Sequence, residues 1–237
     1  MLMSMAFFIS CDNNTPDAKQ PSQSRPKDQN LSEPDSKQPA QSPPKDQNLS
    51  EQDQVLIDFY RQKPVTFDKR KVTINEFWNY SNDELESEHN YVQWLFPNAR
   101  EGLSPAPILS KETVEIMRTD PEIKKNVLKS LDTMLKFLGY SRDDTSCALQ
   151  RNADFDERAE NWIIKHTHNH LRMTRLLLFL KYMGLDNCAK NLFNEFTLLK
   201  NDDKYKNSIT QSYNNYWHKA SMGIEGDKKY TELLPNL

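Results

Sequence analysis

The chain has 237 residues and a formal net charge of −3, with acidic and basic residues mixed along it. Proteins that bind nucleic acids usually have a strongly basic surface, which this charge balance does not indicate, so no nucleic-acid partner is predicted. Glycine is scarce, at 5 residues, which argues against glycine-rich phosphate loops and a turn-dense β architecture. The three cysteines, Cys11, Cys147 and Cys188, share no CxxC or Cys/His spacing, so neither a disulfide framework nor a zinc site is predicted.

Residues 1–11, MLMSMAFFISC, form the first predicted segment. Its apolar run is shorter than the roughly 20 residues that cross a bilayer, and it resembles the end of a secretory signal. The last four residues, FISC, resemble a bacterial lipobox, which predicts a lipid on Cys11 and attachment to a membrane through it. No lysine or arginine precedes the run, so the alternative is an apolar N-terminus without a signal function.

Residues 12–53 are predicted to be a disordered linker. Apolar side chains are almost absent here and seven prolines occur, so the segment cannot bury enough surface to offset its ordering entropy. Two copies of an 18-residue repeat follow each other, KQPSQSRPKDQNLSEPDS at 19–36 and KQPAQSPPKDQNLSEQDQ at 37–54. A polar, proline-spaced segment of this kind is predicted to tether a folded domain.

Residues 54–220 are predicted to form an all-α bundle of about seven helices, followed by a C-terminal tail over 221–237. The first predicted helix is short and covers residues 54–62. Two capping-box patterns, at 73–76 and 81–84, then predict helix starts. The second of these opens a helix that is expected to continue to the proline at 97.

The longest predicted helix begins at Pro121 and ends before Gly139, with its apolar residues on one face. Residues 171–183 are apolar nearly all round and too short for a membrane span, which predicts a central core helix. A loop is predicted over 141–153 and a last helix over 205–220. No long β-type alternation occurs, so no strand is predicted.

Candidate chemistry is sparse. His166, His168 and His170 cluster in HTHNH, but no third ligand stands at a usable spacing, so no metal is predicted. Glu86 and His89 match one Glu-x-x-His pair, whereas a di-iron bundle needs two such pairs and two further glutamates. GxSxG and HExxH are also absent from the sequence, which therefore predicts no catalytic residue and no cofactor.

Two segments carry a family resemblance. Residues 85–97 read LESEHNYVQWLFP, which resembles the first signature of the opioid growth factor receptor conserved domain, L-E-x-x-H-x-Y-I-Q-W-L-F-P. Residues 168–177 read HNHLRMTRLL and resemble the second signature, H-N-N-L-R-I-T-R-I-L. The resemblance covers about residues 55–220, although the Pro-Asn-Gly that usually precedes the first signature is replaced by PVT at 64–66.

The resemblance implies an all-α fold and a receptor-like binding module rather than an enzyme. Receptors of this family are described as binding Met-enkephalin at the nuclear envelope and as restraining proliferation, so a peptide or protein segment is the expected ligand. The residues expected to bind it come from the two signatures: His89, Gln93, Trp94, His168, Asn169, Arg172, Thr174 and Arg175.

The first signature has apolar side chains on more than one helix face, which predicts that Tyr91, Trp94 and Leu95 belong to the core. Buried polar groups need partners, so the polar residues of the two signatures are expected to face each other.

Arg172 and Arg175 lie three residues apart and can bind a carboxylate or phosphate in forked geometry. The alternative is that they pair with Glu86 or Glu88 and lock two helices together.

Two other functions stay open from the sequence. One is an enzyme of unknown reaction that uses His89, His168 and Arg172 in a cleft, which a perturbed histidine pKa would favour. The other is a secreted protein that acts on a eukaryotic host. The predicted location is accordingly either a bacterial membrane, through the lipid on Cys11, or the exterior of the cell.

Overall fold

The computed structural model describes residues 49–100, 102 and 105–233. Over these residues the chain is mostly helical, with three short two-stranded hairpins, so the predicted all-α class is confirmed. The lipobox-like segment with Cys11 and most of the predicted linker lie outside the described residues.

Three hairpins interrupt a succession of helices along the described residues. The helices before residue 139 are α1 (Glu51–Tyr60), α2 (Ile74–Trp78), α3 (Asn82–Ser87), α4 (Tyr91–Leu95), α5 (Lys111–Thr119) and α6 (Pro121–Leu138). Those after it are α7 (Phe155–Trp162), α8 (Asn169–Tyr182), α9 (Asp186–Asn201), α10 (Lys206–Ser212), α11 (His218–Ser221) and α12 (Tyr230–Leu233). The antiparallel hairpins are β1–β2 (Val65–Phe67, Arg70–Val72), β3–β4 (Tyr140–Arg142, Leu149–Arg151) and β5–β6 (Ile224–Glu225, Lys228–Lys229).

Local capping residues fix several helix ends as predicted. Capping boxes precede α2, at Thr73 and Glu76, and α3, at Ser81 and Glu84. Gly139 ends α6 in the left-handed conformation, with φ of 85°, which an L side chain adopts only at a cost. These ends were predictable because each depends on residues within one turn of the chain.

The first helix begins at Glu51 rather than at residue 54. Ser50 and Asp53 form a further capping box, in which the Ser50 N–H donates to the Asp53 carboxylate (3.1 Å) and the Asp53 N–H donates to Ser50 Oγ (3.2 Å). The last residues of the second repeat therefore belong to the helical domain.

The hairpins contradict the prediction of no strands. β3–β4 occupies the segment predicted as a loop, and β5–β6 with α12 occupies the segment predicted as a tail. Strands of two or three residues are too short to show the alternation that identifies a strand. In β1–β2 the turn residues Asp68 and Lys69 both have positive φ, 44° and 67°, as tight two-residue hairpins require.

Two predicted helices are interrupted. The helix expected over 81–97 is wrong as one element, because α3 and α4 are separate and the Tyr91 hydroxyl donates across the break to the Leu85 carbonyl (3.0 Å). The helix expected over 205–220 contains a π-helical turn, Tyr213–Trp217, between α10 and α11. The buried residues Ile209, Tyr213 and Trp217 recur every four residues, a spacing that an unbroken α-helix also allows, so the pattern does not reveal the π turn.

The core confirms the prediction for the first signature, since Tyr91, Trp94 and Leu95 are all buried. α8 is the central helix, as predicted, and packs against α9 and α11. Among the helices of the described residues, none combines the length and apolar character needed to cross a bilayer.

A disulfide joins Cys147 to Cys188, although the cysteine spacing predicted no disulfide framework. Cys147 lies in the loop of β3–β4 and Cys188 in the first turn of α9, with their Cα atoms 5.0 Å apart. The two cysteines are separated by 41 residues and come together only through tertiary packing. Spacing alone therefore cannot predict the pair.

Candidate functional site

The guanidinium of Arg172, from α8, holds the C-terminal end of α3. Its Nη1 donates to the carbonyl of Leu85 (2.6 Å), and its Nη2 donates to those of Glu86 (3.3 Å) and Glu88 (2.6 Å). Helix ends leave carbonyls without intrahelical partners, and Arg172 supplies donors to three of them. The guanidinium also lies 5.5 Å from the centre of the Tyr91 ring, and burial lowers the pKa of Arg172.

Asn169 completes this polar junction. Its Oδ1 accepts from Arg172 Nη1 (3.0 Å), while its Nδ2 donates to a carboxylate oxygen of Glu86 (2.8 Å) and to the Asn161 carbonyl (3.2 Å). The predicted juxtaposition of the polar residues of the two signatures is therefore confirmed. The locking of two segments by Arg172 is also present, but through the backbone carbonyls of Glu86 and Glu88 and not through their carboxylates.

The end of α4 is held in the same manner. Tyr60 donates its hydroxyl to the Leu95 carbonyl (2.5 Å), and Arg175 Nη1 donates to the Phe96 carbonyl (3.2 Å). Gly102 passes directly against this arginine, since a Cβ added there would lie 2.6 Å from Arg175 Nη2. The two arginines of α8, one turn apart, thus fix the ends of α3 and α4.

His89 and His168, one from each signature, lie side by side with ring centres 4.7 Å apart. His168 Nε2 is 3.3 Å from a carboxylate oxygen of Glu86. Burial lowers the pKa of His168 and the charge of Arg172 lowers it further, while Glu86 opposes both. The lowered pKa favours the neutral imidazole of His168, which combines one donor with one acceptor.

A cleft of about 450 Å³, here named the junction cleft, opens where the two signatures meet. Its walls combine polar and apolar side chains, and six of the eight residues predicted to bind a ligand lie in them. These six are His89, Gln93, His168, Arg172, Thr174 and Arg175. The apolar residues of the cleft are Val92, Leu171 and Leu178.

Two polar side chains of the cleft are fixed by backbone carbonyls. The Gln93 amide, oriented to satisfy its surroundings, donates to the carbonyls of His89 (3.0 Å) and Asn90 (3.1 Å). The Thr174 hydroxyl donates to the carbonyl of His170 (3.0 Å). Both are held in place by the fold itself, which reduces the entropy that a ligand would have to overcome.

The junction cleft also contains an acid, Glu225 of β5, that sequence inspection missed. Its carboxylate accepts a hydrogen bond from the Tyr182 hydroxyl (2.6 Å). Burial raises the pKa of Glu225, with Tyr182 and the charge of Arg175 acting in the opposite direction. No pattern marked Glu225, because only the C-terminal hairpin brings it into the cleft.

Trp94 and Asn169 do not line the junction cleft. Asn169 is buried behind it, against Arg172. Trp94 packs among aromatic side chains of the core, with its ring centre 5.3 Å from that of Phe59 and 6.0 Å from that of Phe67.

The histidine cluster HTHNH does not assemble. α8 begins only at Asn169, and His170 is a buried residue whose Nδ1 lies 2.7 Å from Ser212 Oγ and whose Nε2 lies 3.1 Å from the Trp162 carbonyl. Within the described part of the chain, no group of three potential metal ligands comes together.

These features define a helical domain with a buried polar junction between its two signatures and a cleft of about 450 Å³ beside that junction. The profile of the opioid growth factor receptor (OGFr) conserved region matches residues 49–232, and the chain belongs to this family. The matched region includes α1 from its first residue and the hairpin that carries Glu225.

Curated relatives resemble part of the chain. The opioid growth factor receptor of Rattus norvegicus is 31% identical over 140 residues, which are 56% of this chain and 24% of that protein. The receptor of Homo sapiens is 32% identical over 132 residues, 53% of this chain and 19% of that protein. The opioid growth factor receptor-like protein 1 of Xenopus tropicalis is 32% identical over 133 residues, 54% of this chain and 26% of that protein. The match thus spans about a quarter or less of each relative, and no solved structure matches the chain.

Proposed function

We propose that the chain is a receptor-like binding module whose ligand, a peptide or a protein segment, lies in the junction cleft. The observation that carries this proposal is the convergence of six signature residues on that one cleft. Arg172 and Asn169 hold α3, so the fold requires them whether or not a ligand binds. The groups left to distinguish one ligand from another are those around them, above all Leu171 and Glu225.

The chemistry of the junction cleft suits a peptide. A cation, Arg175, and an acid, Glu225, lie within electrostatic reach of each other, and Leu171 and Leu178 add apolar surface. Peptides carry amine, carboxylate and apolar groups, which can pair with the acid, the cation and the apolar surface of the cleft respectively. The cleft volume of about 450 Å³ lies within the range of roughly 300–1,000 Å³ usual for small-ligand sites.

Leu171→Asp tests the junction cleft as the binding site. Leu171 is 54% exposed, so the substitution should leave the fold intact while it places a charge at the cleft. Met-enkephalin, the peptide that the resemblance suggests, is expected to bind the full chain with micromolar or tighter affinity in calorimetric titration. Leu171→Asp is expected to weaken this binding at least about tenfold, or about 1.4 kcal/mol.

The matched control is Leu198→Asp, since Leu198 is 57% exposed and lies on α9, outside the cleft. It is expected to bind as the parent does, and equal affinities for both variants would exclude the junction cleft. No heat from the folded parent at two well-separated temperatures would exclude Met-enkephalin as a ligand, because the heat-capacity change of binding keeps the enthalpy from vanishing at both. A peptide-display selection then decides, because the proposal fails if no selected peptide loses affinity on Leu171→Asp.

An enzyme of unknown reaction is the second candidate. The junction cleft holds His89, His168 and Arg172, and the pKa of His168 is lowered, which favours a general base. The mass of the peptide recovered after incubation separates the two functions. Unchanged peptide supports binding alone, whereas a product that is lost on His168→Gln supports an enzyme.

We further propose that a lipid on Cys11 tethers this module to a bacterial membrane through the residues that precede α1. The lipobox-like FISC and the polar repeats after it support this arrangement. In bacteria that process lipoproteins, the full chain is expected to enter the detergent phase on detergent partition, and Cys11→Ser to enter the aqueous phase. Recovery of both proteins from the medium would instead favour the secreted protein that acts on a host.

A further inference from the structure

We infer that the domain works in an oxidising compartment, where a thiol–disulfide oxidant joins Cys147 to Cys188. The inference is independent of the ligand proposed for the junction cleft. Disulfides persist on the exported side of cells and are rare in the cytosol and nucleus, where thiols are kept reduced. The observations that carry it are the placement, the backbone and the burial of these two residues.

Hydrogen bonds to Asp143 hold the loop of β3–β4 in the conformation that places Cys147 next to Cys188. The Asp143 carboxylate accepts from the N–H groups of Thr145 (3.1 Å) and Ser146 (2.7 Å), and the Asp143 carbonyl accepts from that of Cys147 (3.0 Å). Cys147 then has a φ of 56°, a conformation that favours glycine and that costs free energy for a β-carbon-bearing residue. A glycine would adopt this backbone conformation at less cost, so the thiol of Cys147 must supply an interaction that glycine cannot. That interaction is the bond to Cys188.

The loop of β3–β4 contacts α9 at two residues that lie one helical turn apart. Cys188 lies in the first turn of this helix, and Asn191 Nδ2 donates to the carbonyl of Ser146, next to Cys147 (3.1 Å). The Cα separation of 5.0 Å lies within the range that a disulfide spans. The cysteines are only 6% and 4% exposed, which protects the bond from reductants in solution.

The oxidation needs a partner disulfide, as exported folding catalysts provide. One cysteine thiolate attacks the oxidant's disulfide to give a mixed disulfide, and the second thiolate then displaces the oxidant. Two electrons and two protons pass from the two thiols to the oxidant, which leaves as a dithiol. The product is a covalent link between the β3–β4 hairpin and α9.

Thiol trapping in the cells that make the protein tests the compartment. In the full chain with Cys11→Ser, Cys147 and Cys188 are the only remaining cysteines. Rapid acid quenching, alkylation and mass analysis are expected to find no alkylated thiol before reduction and two after it. Two alkylated thiols before reduction would overturn the inference.

A double-mutant cycle tests the bond itself. Cys147→Ala, Cys188→Ala and the double variant are each expected to lower Tm by roughly 5–15 °C and by similar amounts, because the first change already removes the link. Asn191→Ala, which removes only the neighbouring hydrogen bond, is expected to lower Tm by about 2–4 °C. Additive losses for the single variants, with a Tm that reductant leaves unchanged, would show two packed free thiols and overturn the inference.

Discussion

Arg172→Ala is expected to lower the free energy of unfolding by about 3–5 kcal/mol, measured by chemical denaturation of the full chain. The guanidinium donates to the carbonyls of Leu85, Glu86 and Glu88 and to the Asn169 side chain. It is only 5% exposed, so water cannot easily replace it when it is removed. Each buried acceptor left without a donor costs about 1–3 kcal/mol, less whatever the site recovers by relaxing.

Two controls make this result specific to the junction. Arg172→Lys is expected to recover only part of the loss, because one ammonium cannot reach the acceptors that a planar guanidinium serves together. Arg70→Ala removes an exposed arginine paired with Glu76 and is expected to change stability by about 1 kcal/mol or less. If Arg172→Ala were as mild as Arg70→Ala, the guanidinium would not hold the fold, and a role in binding ligand would be favoured instead.

The junction explains why the two signatures occur together. The first signature ends two short helices in close succession, and the second supplies the donors for their free carbonyls from consecutive turns of α8. Arg172, Arg175 and Asn169 are thus needed for the fold before any ligand is considered. Resemblance at these positions therefore indicates the shared fold. Which ligand binds depends instead on side chains such as Leu171 and Glu225, which line the cleft but are not needed to hold the two helices together.

The sequence predicted the features that depend on neighbouring residues. Capping boxes mark the starts of α2 and α3, Pro121 and Gly139 bound α6, and the apolar run of α8 identifies the central helix. The facing of the two signatures was also predictable, since their buried polar groups need partners and each can supply the other. Six of the eight candidate residues, which were taken from the two signatures, line the junction cleft.

What the sequence could not predict depends on contacts between distant residues. The break between α3 and α4 is stabilised by Arg172, more than 80 residues away along the chain. Glu225 enters the cleft only because a two-residue strand folds back, and Cys147 meets Cys188 across 41 residues. None of these contacts leaves a periodic or local signal, and so no sequence pattern identified them.

Trp94→Ala is expected to lower the free energy of unfolding by about 3–5 kcal/mol while leaving peptide affinity at the junction cleft within about twofold of the parent. The first signature made Trp94 both a core candidate and a ligand candidate. The structure buries it against Phe59 and Phe67, and it does not line the cleft. Removal of the indole leaves a cavity among aromatic rings that cannot fully close, so stability is lost at a residue outside the junction cleft.

Trp94→Phe is the matched control, because it keeps an aromatic ring beside Phe59 and is expected to lose roughly half as much stability or less. Denaturation measures the first quantity, and titration of the variants under conditions where they are folded measures the second. A tenfold loss of affinity in Trp94→Ala with unchanged stability would show that Trp94 contacts the ligand and does not stabilise the core. The ligand would then lie on the side of α4 that faces β1 rather than α8, and the junction would serve only to hold that surface in place.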